Sequence, residues 1–163
     1  MKYLPIEEAV SAPGLRLVLT AGVPGPWGES AKAMLAYKNL QYTAVFQEAG
    51  GENIALRDWT GQTSAPVAAY EDLPPACHWL DLLMLIERLA PQKPLVPIDP
   101  ADRIRVLGVS ALLAGVDGFA WNRRLQMLAP MMALDEPPEM VCRMAHKFGW
   151  SKQAHADATI RLQ

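Results

Sequence analysis

Short apolar runs alternate with stretches of helical period in the first half of the chain. Residues 15–21 are mainly apolar and partly β-branched, and the glycines and prolines of 22–26 close the run, which predicts a strand buried on both faces. From 26 to 39, apolar side chains recur every three or four positions and predict a helix. Residues 40–47 favour a second strand, so this order predicts a parallel pair of strands with a right-handed crossover.

A short helix is predicted after the second strand. The chain breaks at residues 48–51, and a helical turn follows from 53 to 59. Asn53 is the expected N-cap of this helix, because an asparagine side chain accepts hydrogen bonds from the N–H groups of a first turn. Gly61 is expected to end it, since glycine takes the left-handed conformation of a helix C-terminus at little cost.

The next elements are a strand that a proline enters and a strongly amphipathic helix. Residues 62–70 predict a third strand, and Pro66, which has no N–H, must lie at its entry or at an edge of the sheet. Residues 73–75, Leu-Pro-Pro, are expected to be the remnant of a fourth strand. Residues 77–89 carry a wide apolar stripe with charge at the C-terminal end, and they predict a helix.

Four prolines between residues 90 and 100 leave no helical period there and indicate a linker between domains. Beyond it every predicted element is helical: one helix begins with Asp99 as its cap, others cover 121–132 and 139–148, and the last begins at Ser151. The predicted organisation is an extension at 1–14, an α/β domain at 15–89, a linker at 90–100 and an all-α domain at 101–163.

Composition narrows the classes of function. The 163 residues carry a formal charge of −2, and no stripe of lysine and arginine interleaves with aromatic residues, so nothing supports binding to nucleic acid or an anionic membrane. The N-terminus lacks the apolar core of a secretion signal, which makes the cytoplasm the expected compartment. Cys77 and Cys142 stand too far apart for a metal motif and are expected to be free thiols, Cys142 in the core; His146 and His155 have no partners at metal spacing.

Three ordered patches resemble one family. Residues 30–42 are similar to a first helix running into a second strand of the glutathione S-transferase superfamily, and residues 56–67 to its second helix, a loop and a third strand with a cis proline. Residues 82–91 followed by 99–103 are similar to the end of the third helix, the linker and the start of the next domain of that superfamily. From Leu15 onward the chain resembles a bacterial branch of it. The resemblance implies a thioredoxin-like glutathione-binding domain and a helical domain whose later part is missing before Gln163.

The resemblance also implies a position for glutathione. In the family, the main-chain N–H and C=O of the residue before the cis proline pair with the cysteinyl part of glutathione, and here Ala65 precedes Pro66. The family usually places Ser, Cys or Tyr after the first strand as a donor to the thiol, and Gly25 stands there. We therefore name no catalytic residue and expect help only from the helix N-terminus or the hydroxyls of Thr20 and Ser30.

Five side chains have two interpretations each. Trp27 covers the ligand or anchors its helix in the core. Where the family often carries an acid–serine pair for the γ-glutamyl end of glutathione, this chain has Cys77 and His78. Cys77 forms a mixed disulfide with glutathione if the helix N-terminus favours its thiolate, or it caps the helix; His78 binds a carboxylate or lies on the surface. Arg123 and Arg124 line a pocket for an acidic substrate or form a solvated helix face.

Two hypotheses for function follow. In the first, the chain is a cytoplasmic homodimer that binds glutathione and transfers it to a small hydrophobic electrophile. In the second, it is a non-catalytic relative that uses the same fold for binding or dimerisation. Gly25 and the Cys77–His78 pair distinguish them, because the usual thiol-activating groups are replaced there. The turn at Gly25 has no Cys-x-x-Cys sequence, so thioredoxin-type redox chemistry is not expected.

Overall fold

The computed structural model describes residues 2–163, which divide into two compact units, one ending at Val96 and one spanning Pro97–Gln163. The division falls inside the segment predicted as a linker. The elements in chain order are α1 (Ile6–Ala9), β1 (Leu15–Thr20), α2 (Pro26–Tyr37), β2 (Thr43–Gln47), α3 (Ile54–Thr60), β3 (Val67–Tyr70), α4 (Trp79–Leu89), α5 (Pro100–Ala114), α6 (Phe119–Met132), α7 (Glu139–Lys147) and α8 (Lys152–Arg161).

The sheet of the first unit has β1 at its centre, in the order β2-β1-β3. β1 pairs parallel with β2, as the strand–helix–strand order predicted, and antiparallel with β3. Alternate residues of β1 enter two separate cores: Leu17 packs with Leu35 of α2, and Val18 packs with Leu56 of α3. The predicted burial of both faces of this strand is therefore confirmed, because helices cover the sheet on both sides.

The first residues differ from the expected extension. The Leu4 N–H donates to Ala44 O at 2.8 Å, and the Leu4 carbonyl accepts from the N–H of Phe46 at 3.0 Å, which adds a bridge beside β2. Ala9 is fully buried, and the buried Arg16 donates to its carbonyl at 3.4 Å. The sequence pattern missed this segment because a helix of four residues is too short to show a period.

The side chain of Asn53 and the segment after β3 differ from what the sequence predicts, whereas Gly61 agrees with its prediction. Asn53 precedes α3, but its side chain does not cap the helix, and its φ of 48° and ψ of 49° are left-handed. Gly61 ends α3 as predicted, with φ 74° and its N–H on the carbonyl of Arg57 at 2.7 Å. The expected remnant of a fourth strand is displaced: Ala76, after the two prolines, forms the bridge to Ala68 with hydrogen bonds of 3.0 and 2.7 Å.

The second unit consists of helices α5 to α8. The predicted caps are confirmed, because Asp99 accepts from the N–H of Asp102 and Ser151 accepts from that of Ala154, both at 3.0 Å. Leu128 of α6 packs against the face of α7 that carries Val141 and Ala145. Cys142 lies one position beyond that face and is exposed, so the expectation that it is a core residue is wrong.

The 33-residue stretch Pro100–Met132 resembles a membrane-crossing segment by length and composition alone, with a mean hydropathy of 1.4 over 18 residues. It consists of two helices of 15 and 14 residues, separated by a turn at 115–118. Because a helix rises 1.5 Å per residue, each extends about 20 Å, short of the roughly 30 Å hydrocarbon core. Neither helix by itself is long enough to span, and the absence of a membrane partner stays a prediction.

Candidate functional site

The carboxyl ends of β1 and β2 and the loop that leads into β3 lie together at one edge of the sheet. Thr20 and Gln47, the last residues of the two strands, are register partners. The Gln47 amide donates to the carbonyl of Thr63, which lies in the loop before β3, at 3.3 Å. Strand ends and loops of this kind are common places for ligands in α/β domains, so we take this edge as the candidate site.

Ala65 and Pro66 form the entry of β3, which begins at Val67, and the peptide bond between them is cis. The predicted position of the proline and its cis bond are therefore both present. The Ala65 methyl packs against the core that contains Val67. In residues 2–163, neither the N–H nor the C=O of Ala65 has a hydrogen-bond partner, so both main-chain groups are available to a ligand.

Gly25 is the N-cap of α2 and contributes only main-chain atoms. Its φ of −93° and ψ of 142° are extended, and the first helical residue is Pro26. A Cβ built on Gly25 would meet no atom within 4 Å, so the space that a side-chain donor would occupy is open. The helix begins where the resemblance implied, but no side chain at this turn can activate a thiol.

The two hydroxyls that were expected to assist are engaged within the protein. The Thr20 hydroxyl lies 2.6 Å from Gln47 Oε1 and donates to it. The Ser30 hydroxyl donates to the carbonyl of Trp27 at 3.0 Å, inside the same helix. A hydroxyl has one proton, so neither group offers its proton to a ligand thiol in this arrangement.

Trp27 lies in the first turn of α2 and is half-buried. None of the three core clusters within the described residues includes Trp27, which does not favour its interpretation as a core anchor. Its position one residue after Pro26 places it beside Gly25, at the start of the helix. The alternative interpretation, in which Trp27 covers a ligand, stays a prediction.

Cys77 precedes α4 and is half-buried, with its Sγ 3.3 Å from the carbonyl oxygen of Thr60. Burial raises the pKa of the Cys77 thiol, and the nearby carboxylate of Asp81 raises it further. This raised pKa opposes the condition on which a mixed disulfide at Cys77 depended, a thiolate favoured by the helix N-terminus. His78 is the N-cap of α4 by its backbone alone, since its side chain is exposed and makes no capping bond, and Cys77 does not cap the helix.

The two adjacent arginines of α6 have different surroundings. Arg123 is exposed and donates to the side chain of Gln126 at 3.1 Å. Arg124 is half-buried, with its guanidinium carbon 3.9 Å from the ring centroid of Phe148 and 5.1 Å from that of Trp121. Burial lowers the pKa of Arg124 to about 10. The solvated helix face is thus right for Arg123, whereas Arg124 packs on aromatic rings.

Two further findings delimit the site. A cavity of about 440 Å³ lies at the amino end of β2, where Lys32, Tyr42 and Ala44 contribute to its lining, and it does not include the strand ends described above. Within residues 2–163, no group of three or more His, Cys, Asp or Glu side chains is placed to hold a metal ion. The groups located at this edge are the main chain of Gly25, Thr63 and Ala65 and the side chains of Thr20 and Gln47.

Solved structures resemble this chain over most of its length. A glutathione S-transferase from Methylobacterium radiotolerans JCM 2831 in complex with glutathione sulfonate has a TM-score of 0.64 at 16% identity, covering 91% of this chain and 61% of that one. A glutathione transferase family member from Pseudomonas fluorescens Pf-5 with bound glutathione gives 0.61 at 14%, covering 91% and 66%. The β-etherase LigF from Sphingobium sp. strain SYK-6 gives 0.63 at 16%, covering 91% and 69%.

These likenesses show the fold. The chain has the glutathione S-transferase fold, with a thioredoxin-like α/β unit followed by an all-α unit, which confirms the predicted fold class. It spans about three fifths of the length of the Methylobacterium structure. No protein-family model matches the sequence, and a search of curated proteins finds no match.

Proposed function

We propose that this chain, which has the glutathione S-transferase fold, binds glutathione at the carboxyl ends of β1 and β2. The observation that carries the proposal is the unpaired main chain of Ala65, directly before Pro66 at the entry of β3. A peptide-like ligand can pair with such groups as a short strand would, and the pairing does not depend on the side chain. The cysteinyl part of glutathione is a peptide-like ligand of this kind. We also propose that the chain acts in the reducing cytoplasm.

Calorimetric titration of the chain with reduced glutathione tests this proposal. We expect a dissociation constant between the micromolar and the low-millimolar range for the unmodified chain. Ala65→Pro removes the N–H that would donate to the ligand, so it should abolish measurable binding, whereas Ala65→Ser keeps the main chain and should bind as the unmodified chain does. Circular dichroism establishes that both variants are folded. Absence of binding by the unmodified chain would overturn the proposal.

We further propose that the bound thiol is conjugated slowly to a small hydrophobic electrophile. The sulfur attacks an electrophilic carbon, a halide leaves, and the thiol proton passes to solvent, so the thiolate is the reactive form. Gly25 offers no side-chain donor to stabilise that thiolate, which is why the expected rate is low. An activated aryl chloride whose conjugation changes its absorbance, followed with and without the protein, measures this rate.

A second candidate function, a glutathione-binding protein without transferase activity, is favoured by the same Gly25. The variant Gly25→Ser distinguishes the two, because φ is negative there, the space is open, and serine is a favourable N-cap. If the unmodified chain exceeds the solution rate and Gly25→Ser raises the rate about a hundredfold, the transferase function is supported. If the unmodified chain binds glutathione without any acceleration, the binding function is the right one.

We also propose that the chain forms a homodimer through the apolar face of α5. None of the residues of this helix is buried, and Ile104 and Leu112 are each 72% exposed. Apolar patches of this kind rarely stay open to water in a soluble protein. Gel filtration with light scattering should show a dimer that Ile104→Glu together with Leu112→Glu converts to a monomer; a monomeric unmodified chain would contradict the proposal.

A further inference from the structure

Two side-chain amides, that of the buried Gln47 and that of the half-buried Asn53, converge on a single carbonyl oxygen beside the candidate site. Gln47 Nε2 lies 3.3 Å and Asn53 Nδ2 lies 3.2 Å from the carbonyl oxygen of Thr63. A carbonyl oxygen has two lone pairs, so these two donors satisfy its capacity. We call Gln47, Asn53 and the Thr63 carbonyl the amide clamp. Thr63 stands two residues before Ala65, so the clamp acts on the loop that carries the unpaired main chain.

Gln47 is held in one orientation by the contacts of its own amide. Its residue is 3% exposed, and its Oε1 accepts the Thr20 hydroxyl at 2.6 Å. The same Nε2 that reaches Thr63 also donates to the carbonyl of Glu48 at 2.5 Å. Every polar atom of the side chain is thus satisfied, and a buried amide in this state has no alternative position to take. Gln47 therefore ties the end of β2 to the loop before β3.

Asn53 performs the corresponding function from the other side of the loop. Its left-handed backbone, which asparagine tolerates better than most residues, turns the side chain away from α3. Oδ1 then accepts from the N–H of Glu48 at 3.0 Å, and Nδ2 lies 2.8 Å from the carbonyl of Gly51 as well as near Thr63. The use of this side chain in the clamp explains why it does not cap the helix.

We propose that the amide clamp holds the Ala65 main chain where glutathione pairs with it, so that Gln47 and Asn53 are positioning residues for the ligand. This inference rests on the proposed function. Within residues 2–163, the N–H and C=O of Ala65 have no hydrogen bonds of their own to fix their direction. Hydrogen bonds weaken steeply with distance and angle, so a loop displaced by about 1 Å would lose the pairing.

Conservative variants test the clamp without emptying the space it fills. Asn53→Asp keeps the acceptor for Glu48 and tolerates the left-handed backbone, and Gln47→Glu keeps the acceptor for Thr20. Asn53→Asp removes the donor to the carbonyls of Glu48, Gly51 and Thr63, and Gln47→Glu removes the donor to those of Glu48 and Thr63, so the contact with Thr63 is the one lost inside the loop before β3 in both variants. We expect each to weaken glutathione binding about tenfold by calorimetry, at a temperature where circular dichroism shows the variant folded.

Asn122→Asp in the second unit is the matched control. Asn122 is a buried amide, as Gln47 is, and it donates to two main-chain carbonyls, those of Asp117 at 2.6 Å and Gly118 at 2.9 Å. The variant removes equivalent donors and should leave glutathione binding unchanged. If it weakens binding as much as Asn53→Asp does, the effect is general destabilisation and the clamp inference is overturned.

Amide hydrogen exchange at Ala65 supplies a readout that general loss of stability does not move. Glutathione should slow exchange of the Ala65 N–H in the unmodified chain, and this protection should be much smaller in Asn53→Asp at a ligand concentration near the dissociation constant of the unmodified chain, as tenfold weaker binding requires. If the unmodified chain binds glutathione and both clamp variants bind within twofold of it, the clamp inference fails while the proposed function stands. If the unmodified chain does not bind glutathione, both fail.

Discussion

The Lys38 ammonium lies 2.5 Å from the Glu87 carboxylate, and the Lys38 side chain is completely buried. The same ammonium donates to the carbonyl of Ala90 at 2.7 Å, and the carboxylate accepts from the N–H of Leu95 at 2.8 Å. This pair therefore joins the end of α2 to the end of α4 and to the last residues of the first unit. Removing one partner of a buried ion pair strongly lowers stability, because the other partner then stays charged and unpaired.

The first prediction concerns this pair. Lys38→Met should lower the free energy of unfolding by about 3 kcal/mol, because the Glu87 carboxylate loses its counter-charge in a poorly solvated place. Urea denaturation measures the change. Lys32→Met is the matched control, since Lys32 also lies 2.5 Å from a carboxylate, that of Glu29, but both side chains are more exposed to solvent than those of Lys38 and Glu87. The control should leave stability nearly unchanged, and equal losses in the two variants would contradict the importance of burial.

The second prediction is the pH dependence of the same contact. Burial by itself raises the pKa of Glu87, but hydrogen bonds from Lys38 and from the N–H of Leu95 outweigh it and hold the pKa below its ordinary value of 4.5. The stabilisation is therefore present above pH 4.5 and is lost as the pH falls through the lowered pKa. Unfolding free energies of the unmodified chain and Glu87→Gln should differ at pH 7 and converge at acidic pH. A constant difference across that range would contradict this linkage.

Part of the fold could be predicted because local pattern and tertiary environment agree. β1 reads as a continuous apolar run because both of its faces are covered, and Asp99 and Ser151 cap helices as their positions indicate. The burial of the Arg16 side chain could not be predicted from the local pattern. A charge in a buried strand is stable only because the carbonyls of Ala12 and Glu71 accept from it, at 2.5 and 2.7 Å, and no pattern shows that these partners come together.

The candidate site, like the fold, could be predicted only in part from the sequence. Ala65 and Pro66 could be located because their surroundings resemble a family motif of contiguous residues. The hydrogen bond from the Asn53 side chain to Thr63 could not be predicted, because an asparagine before a helix is usually its cap, and Thr63 lies ten residues further along. The direction of the Cys77 pKa could not be predicted for a similar reason: proximity to a helix N-terminus favours a thiolate, but desolvation, which the sequence does not show, has the larger effect on its pKa.

The third prediction concerns the two thiols. Because burial and Asp81 raise the pKa of Cys77 above its ordinary value of 9.0, little of this thiol is ionised at neutral pH. Iodoacetamide should therefore label the exposed Cys142 at least about tenfold faster than Cys77 at pH 7, as peptide mass spectrometry measures. Labelling of Cys77 should continue to accelerate above pH 9 and should be faster in Asp81→Asn. Rapid labelling of Cys77 at neutral pH would contradict the raised pKa.

The last prediction concerns the turn between α5 and α6. A Cβ at Gly118 would lie 2.7 Å from the carbonyl oxygen of Leu112 and 3.0 Å from that of Gly115. These are main-chain atoms at the end of α5, and they cannot move away without disturbing the helix terminus. Gly118→Ala should therefore lower the free energy of unfolding by about 2 kcal/mol, measured by urea denaturation.

Gly108 provides the matched comparison for this turn. It lies inside α5, where an added Cβ meets no atom within 4 Å. Gly108→Ala should raise the free energy of unfolding by about 0.5–1 kcal/mol, because alanine restricts the unfolded chain and favours the helix. The same substitution thus has opposite signs at two positions of one unit, since only Gly118 stands against backbone. Destabilisation of equal size at both positions would refute the steric explanation of the turn.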